Sequence, residues 1–225
     1  MEENFNNSKE QIAAIQKKYF ELQQEMAKVI VGQQKVVQLL ITGLFSDGHI
    51  LLEGVPGVAK TLLAKLLAKM VNINFSRIQF TPDLMPGDVI GTSVFNPKEG
   101  NFYFKPGPVF SNIVLIDEIN RAPAKTQSAL FEVMEEKQIT IDGHTYFMQK
   151  PFLVIATQNP IEQEGTYRLP EAQLDRFMFN VLIDYLPEDE EMAVVQQTTS
   201  RSFHPIKSLF SGDIIREFHQ VVQRV

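Results

Sequence analysis

Short apolar runs rich in β-branched residues recur five times along the chain, and stretches with helical spacing separate most of them. Such near-continuous runs are typical of strands in a parallel sheet, where both faces are covered. Their alternation with helices favours a layered α/β fold with right-handed crossovers. We therefore predict a five-stranded parallel sheet between helices, with strands at residues 49–53, 75–80, 112–117, 152–157 and 178–184.

The composition limits the chemistry that the chain can carry. Of its 225 residues, 44% are hydrophobic and 21% are charged, which is ordinary for a globular protein with a sizeable core. The absence of cysteine excludes disulfides and thiolate metal sites, and the four histidines lack zinc-ligand spacing. We see no secretory signal and no membrane-spanning run, so we expect a cytoplasmic protein. The net charge of −6 argues mildly against a nucleic-acid partner.

Local patterns predict helices at both ends of the chain. Apolar side chains recur at intervals of three and four over residues 12–26, and Ser8 with Gln11 resembles a capping box at the start of that helix. A frayed tail is the alternative interpretation. The acidic run 187–191 follows a proline and suits a helix N-terminus, whose dipole favours carboxylates. We expect only helices beyond it.

Two segments between the predicted strands are not crossover helices. Residues 81–110 are rich in proline and glycine, and a long irregular insertion in a compact domain is usually functional or mobile. Over residues 138–147, two alternating runs flank Asp142-Gly143. Because a type I′ turn needs positive φ at both central residues, this dipeptide predicts a β-hairpin.

A candidate phosphate site follows the first predicted strand, where Gly54-Val-Pro-Gly-Val-Ala-Lys60-Thr61 opens a helical run. Glycines let backbone amides wrap around phosphate oxygens, and the helix N-terminus adds its positive dipole end. Lys60 is placed to reach the β- and γ-phosphates, and the Thr61 hydroxyl to ligate Mg²⁺. Ala59 replaces the usual glycine, which costs little in helical backbone but is strained at positive φ. The order of strand, loop and helix disfavours a chance glycine-rich turn.

The third predicted strand ends in Asp117-Glu118, at the edge of the sheet where open α/β folds bind ligands. Asp117 fits a direct or water-mediated ligand of Mg²⁺. Glu118 fits the group that polarises an attacking water. Acidic strand ends are often only turns, but the phosphate loop upstream favours the catalytic interpretation.

These motifs, in this order, resemble the AAA+ ATPases and, within them, the MoxR family. The resemblance runs from about Val29 to Asp184, and the Ala59 variant looks like the form usual in that family. The stretches that carry it are VIVGQ (29–33), GVPGVAKT (54–61), RIQFTPDLMPGD (77–88), VLIDEINRAPAKTQSALFEVMEE (114–136) and ATQNPIEQEGTYRLPEAQLDRF (156–177).

The resemblance implies an ATP or ADP site with Mg²⁺. Asn159 matches the polar sensor 1 residue, although a lone Asn before Pro more often starts a turn. Val31 to Gln33 match the segment beside the adenine. The implied nucleotide-binding residues are Val31, Gly32, Gln33, Gly54, Val55, Pro56, Gly57, Val58, Ala59, Lys60, Thr61, Leu62 and Asp117, with Thr61 and Asp117 as the metal ligands. The implied catalytic residues are Lys60, Glu118, Asn159 and Arg176.

Arg176 matches the arginine finger that AAA+ proteins supply to the nucleotide of a neighbouring subunit. From the residues alone, an arginine after aspartate is a surface ion pair. Arg168 is a rival for the finger, since it lies in the same segment. It is also a local departure from the family, which often has proline there. Arg121 is a third basic residue near the site, with no role assigned.

The resemblance also implies how the rest of the chain is organised. It divides the chain into an N-terminal helix (1–28), an AAA+ core (29–186) and the start of a helical lid (187–225). The family's lid carries a sensor 2 arginine without a counterpart here, so we expect an incomplete lid and leave turnover of ATP open. Segments 81–110 and 138–147 look like the helix 2 insert and the hairpin before sensor 1, which would face the pore of a ring. The aromatic run 102–104 would suit substrate contact there, but we favour cross-strand packing.

The implied function is ATP hydrolysis between the subunits of a homo-oligomeric ring, expected to be a hexamer, that remodels a protein client. By analogy, von Willebrand factor A domain proteins are candidate partners. A nucleic-acid-translocating AAA+ motor is one alternative, against which the acidic charge weighs. A non-catalytic nucleotide-binding switch is another; the intact candidate residues argue against it, and the incomplete lid argues for it.

Overall fold

The computed structural model describes residues 2–54, 59–159, 166–199 and 206–224. The strands are β1 (His49–Gly54), β2 (Phe75–Gln79), β3 (Gly91–Asn96), β4 (Asn101–Pro106), β5 (Ile113–Asp117), β6 (Gln138–Ile141), β7 (His144–Phe147), β8 (Leu153–Gln158) and β9 (Phe177–Ile183). The α-helices are α1 (Glu2–Ala27), α2 (Gln34–Phe45), α3 (Lys60–Met70), α4 (Pro86–Ile90), α5 (Ala124–Glu136), α6 (Glu171–Leu174), α7 (Glu188–Thr199) and α8 (Gly212–Val222). A 3₁₀ turn spans Ile119–Arg121.

The predicted five-stranded parallel sheet is confirmed. Its strand order is β2-β5-β8-β1-β9, and every pairing within it is parallel. Each predicted strand coincides with an observed one to within about two residues. The prediction succeeds because β5 is fully buried and β8 almost so, which requires the continuous apolar runs that mark them.

The sheet separates two apolar cores, so successive residues of a strand enter different ones. On one face, Leu115 and Ile155 pack with apolar residues of α1, α2, α3 and α8. On the other face, Val114 and Val154 pack with residues of α4, α5 and β6. The helix that follows the phosphate loop, α3, therefore lies on the same face of the sheet as Leu115.

The terminal helices differ from the sequence-based expectation in two ways. The helix α1 begins at Glu2, so Ser8 lies inside it and the expected capping box does not start it. The helix α8 packs on α1 and α2, where Phe218 contacts Phe45 with ring centroids 5.2 Å apart. The acidic run starts α7 as predicted. The division of the chain at residue 186 stays a prediction.

The insertion at 81–110 forms the short helix α4 and the hairpin β3–β4. The predicted hairpin at 138–147 is confirmed as β6–β7, and its turn has φ of 51° at Asp142 and 78° at Gly143. The two hairpins meet where the rings of Phe104 and Tyr146 lie 4.3 Å apart. Among the described residues, no helix combines the length and apolar character needed to cross a bilayer.

A buried histidine on β1, His49, is hydrogen-bonded through both of its ring nitrogens. The backbone N–H of Val154 donates to His49 Nδ1 at 3.0 Å, which places the ring proton on Nε2, and Nε2 donates to the carbonyl of Met134 at 3.2 Å. Both nitrogens are thus used by the neutral imidazole. Burial lowers the pKa of His49 to about 4.

This depressed pKa makes the folded state sensitive to mild acid. Stability contributed by neutral His49 is complete above the unfolded pKa of about 6.5 and is lost as the pH falls toward 4, because the unfolded chain then binds the extra proton. We expect His49 to lower the free energy of unfolding by about 3 kcal/mol as the pH falls from about 6.5 to about 4. Urea unfolding of wild type and His49→Gln at several pH values measures it.

The His49→Gln variant should show a shallower pH dependence than wild type. His144→Gln is the matched control, since His144 is exposed at the hairpin turn, and it should keep the wild-type slope. Equal slopes for all three proteins would contradict the assignment.

Candidate functional site

The carboxyl ends of neighbouring strands bring the predicted site residues together. Gly54 ends β1, Asp117 ends β5, and Asn159 directly follows β8, which lies between β1 and β5. Asn159 is half-buried. This edge is where open α/β sheets bind ligands, because loops and helix N-termini converge there.

The phosphate loop is described at its two ends. Val55, Pro56, Gly57 and Val58 lie outside the described residues. At the first end, Gly54 leaves no room for a side chain, because a Cβ there would lie 2.3 Å from the carbonyl oxygen of Ile183. At the second end, α3 begins at Lys60, with Thr61 half-buried and Leu62 exposed in its first turn.

Ala59 precedes α3 in left-handed backbone, with φ of 58° and ψ of 20°. This position therefore has the strained backbone with positive φ and not the helical one. Left-handed backbone costs an L-residue with a Cβ roughly 1–2 kcal/mol, a cost that glycine does not have. The sequence left both conformations open, and the similarity of Ala59 to the form usual in the family did not decide between them.

Lys60 is the cation nearest the loop. Its Nζ donates to the carbonyl of Gly54 at 2.7 Å, so the side chain reaches back to the end of β1. Burial lowers the pKa of the Lys60 ammonium, whereas the charges of Asp117 and Glu118 raise it. These opposing influences show that the three predicted residues share one electrostatic environment.

Asp117 is buried and has a partner on each oxygen. Arg77 Nε donates to Oδ2 at 2.5 Å, and Thr157 Oγ1 lies 3.4 Å from Oδ1. Thr157 also accepts the backbone N–H of Glu118 at 3.1 Å. One hydroxyl on β8 therefore holds both the side chain at the end of β5 and the backbone that follows it.

Glu118 turns away from the strand because its backbone is left-handed, with φ of 56°. Its Oε2 accepts the side-chain amide of Gln79 at 2.8 Å and pairs with Arg121 Nε at 2.9 Å. Arg121, which the sequence left without a role, is thus a direct partner of the predicted catalytic carboxylate.

Sequence reasoning missed Arg77 and Gln79, although the motif that contains them was noted. Both residues lie on β2, two apart, so their side chains leave the same face of the strand. Gln79 pairs in register with Asp117. Two polar residues at alternate positions of an apolar strand, Arg77 and Gln79, are a signal of this kind. It becomes specific only when the alignment of β2 with β5 is known, because that alignment places them beside Asp117.

The segment matched to the adenine site lies at the start of α2. Gly32 and Gln33 both have left-handed backbone, and Gln33 caps the helix, whereas Val31 is half-buried. A Cβ at Gly32 would lie 2.2 Å from Glu190 Oε2 and 2.8 Å from Leu186 Cδ2. The beginning of α7 therefore closes directly over this segment.

The two candidate fingers flank the short helix α6. Arg176, just after α6, pairs with Glu135 of α5 at 2.6 Å, and both side chains are largely exposed. Arg168 is exposed in the segment before α6. The backbone N–H of Tyr167, next to Arg168, donates to the carbonyl of Asn120 at 2.6 Å, so Arg168 follows a residue that is anchored two positions after Glu118.

The oxygen donors present fit Mg²⁺ held together with phosphates. Within the described ranges, no group of three or more acidic or histidine side chains is arranged to hold a metal by itself. Mg²⁺ usually takes one or two protein oxygens and completes its shell with water and substrate phosphates. The hydroxyl of Thr61 and the carboxylate of Asp117 are donors of that kind.

The strain at Ala59 predicts an unusual stabilising substitution. We expect Ala59→Gly to raise the free energy of unfolding by about 0.5–1 kcal/mol, because relief of left-handed strain outweighs the added freedom of the unfolded chain. Ala14→Gly, at an exposed position inside α1, is the control and should lower it by about 1 kcal/mol. Chemical denaturation measures both, and a destabilised Ala59→Gly protein would contradict the assigned backbone.

The chain is similar to known proteins over most of its length. A model of the ATPase family associated with various cellular activities (AAA) matches residues 49–179. Chaperone MoxR1 of Mycobacterium tuberculosis is 50% identical over 192 residues, which cover 85% of this chain and 51% of that protein. The uncharacterized protein YeaC of Bacillus subtilis is 52% identical over 182 residues, which cover 81% and 56%.

A solved structure from Cytophaga hutchinsonii, described as a candidate ATPase, superposes with a TM-score of 0.86. It is 48% identical, and the match covers 96% of this chain and 66% of that one. The chain spans about half the length of MoxR1 and of YeaC. With the AAA match over more than half of its residues and this similarity to MoxR proteins, the chain belongs to the MoxR family of AAA+ ATPases.

Proposed function

We propose that this chain binds ATP with Mg²⁺ at the carboxyl edge of its sheet and hydrolyses it in a ring of identical subunits. One observation carries the proposal. Two carboxylates, Asp117 and Glu118, are grouped with the cations Lys60, Arg77 and Arg121 beside the start of α3. A site with one more cation than anion, at a helix N-terminus, suits a phosphate chain.

In this proposal each residue acts on a different part of the nucleotide. Lys60 neutralises the terminal phosphates, and Thr61 with Asp117 would hold Mg²⁺, which supplies further positive charge when bound. Glu118 orients and deprotonates the attacking water. Gln79 and Arg121 fix the Glu118 carboxylate, which supports a defined direction of attack.

Asn159 and the adenine segment complete the proposed site. Asn159 follows β8, the strand beside β5, where its amide would help to hold the attacking water. Val31, Gly32 and Gln33 would pack beside the adenine under the start of α7, which the tight approach of Glu190 to Gly32 supports.

Hydrolysis would need a second subunit. Arg176 is 41% exposed and is turned from its own carboxylate pair, which supports its role as the finger for a neighbouring nucleotide. The ion pair with Glu135 is exposed, and such pairs contribute little, so it can open when a neighbour docks. A hexamer is the expectation from the family.

Energy from the ring would be used on a protein client. The hairpins β3–β4 and β6–β7 expose aromatic side chains, among them Phe102, with 68% of its surface accessible, and Phe147. Phe102 also packs across the hairpin on Phe95, and Phe104 is packed on Phe110, so only part of the aromatic run is available for contact. The relative named Chaperone MoxR1 supports a chaperone-like role. By analogy with the family, we propose von Willebrand factor A domain proteins as candidate clients.

The role of Glu118 can be tested by removing its charge. We expect Glu118→Gln to reduce the rate of ATP hydrolysis by about 10²–10⁴-fold, because a neutral amide cannot accept the proton of water. Affinity for Mg-ATP should stay near the wild-type value. Steady-state turnover and binding of a fluorescent ATP analogue measure the two quantities.

Glu132→Gln is the control for this experiment, since Glu132 is an exposed carboxylate on the next helix, α5. It should leave turnover unchanged. Wild-type turnover in Glu118→Gln would exclude Glu118 as the catalytic base.

The ring proposal predicts that turnover depends on protein concentration. Specific activity should rise as subunits associate, and Arg176→Ala should lower the maximum by about 10³-fold or more while ATP still binds. Arg168→Ala should have a much smaller effect. Loss with Arg168→Ala alone would move the finger to that residue, and ATP binding without turnover at any concentration would contradict hydrolysis by this chain.

A further inference from the structure

The proposed Mg²⁺ ligand Asp117 is already held by a cation of its own chain. Arg77 Nε donates to Asp117 Oδ2 at 2.5 Å, and the hydroxyl of Thr157 lies near the other oxygen. The Asp117 side chain is only 12% exposed, so its charge is poorly compensated by water. The arginine supplies that compensation.

The position of Arg77 makes its hold on Asp117 reversible. It lies on β2, the strand at one edge of the sheet, and half of its side-chain surface is exposed. Arg77 is in register with Leu115 on β5, so its side chain projects from the same face of the sheet as Leu115, the face that α3 covers. A long cationic side chain at an edge can swing into water at little cost, unlike the buried carboxylate that it contacts.

Mg²⁺ and this guanidinium cannot both be close to Asp117 without penalty. A magnesium ion places its oxygen ligands at about 2.0–2.1 Å and demands octahedral geometry, which leaves little space beside it. A divalent ion and a guanidinium sharing one poorly solvated carboxylate also repel each other. Mg²⁺ bound directly to Asp117 would therefore weaken the contact of Arg77 with it or displace the arginine.

We propose that Arg77 is a stand-in cation that occupies Asp117 until Mg²⁺ arrives with the nucleotide, and that its displacement raises the concentration of Mg²⁺ the site requires. The inference rests on the proposed function, because it assigns Asp117 to the metal. Arg77 is in this view a positioning residue that acts through Asp117.

The displacement would also reach the second carboxylate. Arg77 Nη2 lies 3.4 Å from Gln79 Oε1, and the amide of Gln79 donates to Glu118 at 2.8 Å. When Arg77 leaves, Gln79 loses one of its contacts while keeping the one to Glu118. Arrival of the metal at Asp117 is thereby communicated to the proposed catalytic base through two side chains of one strand.

The experiment measures metal dependence without hydrolysis. Binding of a fluorescent, non-hydrolysable ATP analogue is titrated with Mg²⁺ for wild type, Arg77→Gln and Arg77→Lys. We expect the Mg²⁺ concentration for half-maximal binding to fall roughly 3- to 10-fold in Arg77→Gln, because the competing charge-assisted hydrogen bond is gone. Arg77→Lys keeps the charge but loses the planar fork, so its decrease should be smaller.

Arg216→Gln is the matched control, because it removes an exposed arginine of α8 that pairs with Asp213 outside the site. It should keep the wild-type dependence on Mg²⁺. Thermal unfolding of each variant verifies that it is folded, and Arg77→Lys carries the test if Arg77→Gln is not.

The outcomes separate this inference from the proposed function. If wild type does not bind the analogue at any Mg²⁺ concentration, the nucleotide site itself is wrong. If it binds and the Arg77 variants keep the wild-type Mg²⁺ dependence, only the stand-in role is overturned. If the variants bind more weakly by the same factor with and without Mg²⁺, Arg77 is a phosphate contact, which also overturns it.

Discussion

The end of β5 imposes the constraint on which the site depends. A buried strand delivers Asp117, followed directly by Glu118, to the carboxyl edge of the sheet, and the buried charge of Asp117 requires compensation. The compensation comes from neighbouring elements: Arg77 from β2, Arg121 from the turn after β5, and the ammonium that begins α3. Because Lys60 and Arg121 are held by Gly54 and Glu118, a phosphate ligand would enter a site in which these two charges are already positioned.

Much of the fold follows from burial and could be read from the sequence. The strands of the central sheet appear as apolar runs because helices cover both faces, and Asp142-Gly143 fixes the hairpin turn because few other residues accept its backbone. The start of α1 was misplaced because its first turns have no apolar spacing. The packing of α8 on α1 and α2 was also missed, since an amphipathic pattern says that a face is buried but not against what.

The candidate site was predictable where chemistry and chain position coincide. The phosphate-loop motif identifies Lys60, and the end of an apolar strand identifies Asp117, so neither depends on knowing the fold. Arg77 and Gln79 were not, because their roles exist only through the alignment of β2 with β5. Polar residues on an edge strand are ordinarily solvent-facing, so nothing local distinguishes these two. Ala59 is a further case, because the sequence offers both backbone conformations and only the fold selects one.

The contact between Phe104 and Tyr146 makes the two hairpins one mechanical unit. The hairpin β3–β4 follows α4, which packs on α5, and β6–β7 begins directly after α5 ends. Both hairpins are therefore anchored to the same helix and joined again at their aromatic faces. The first residue of α5 lies seven positions after Asp117. A rigid shift of α5 would therefore move the two hairpins together, in the same direction.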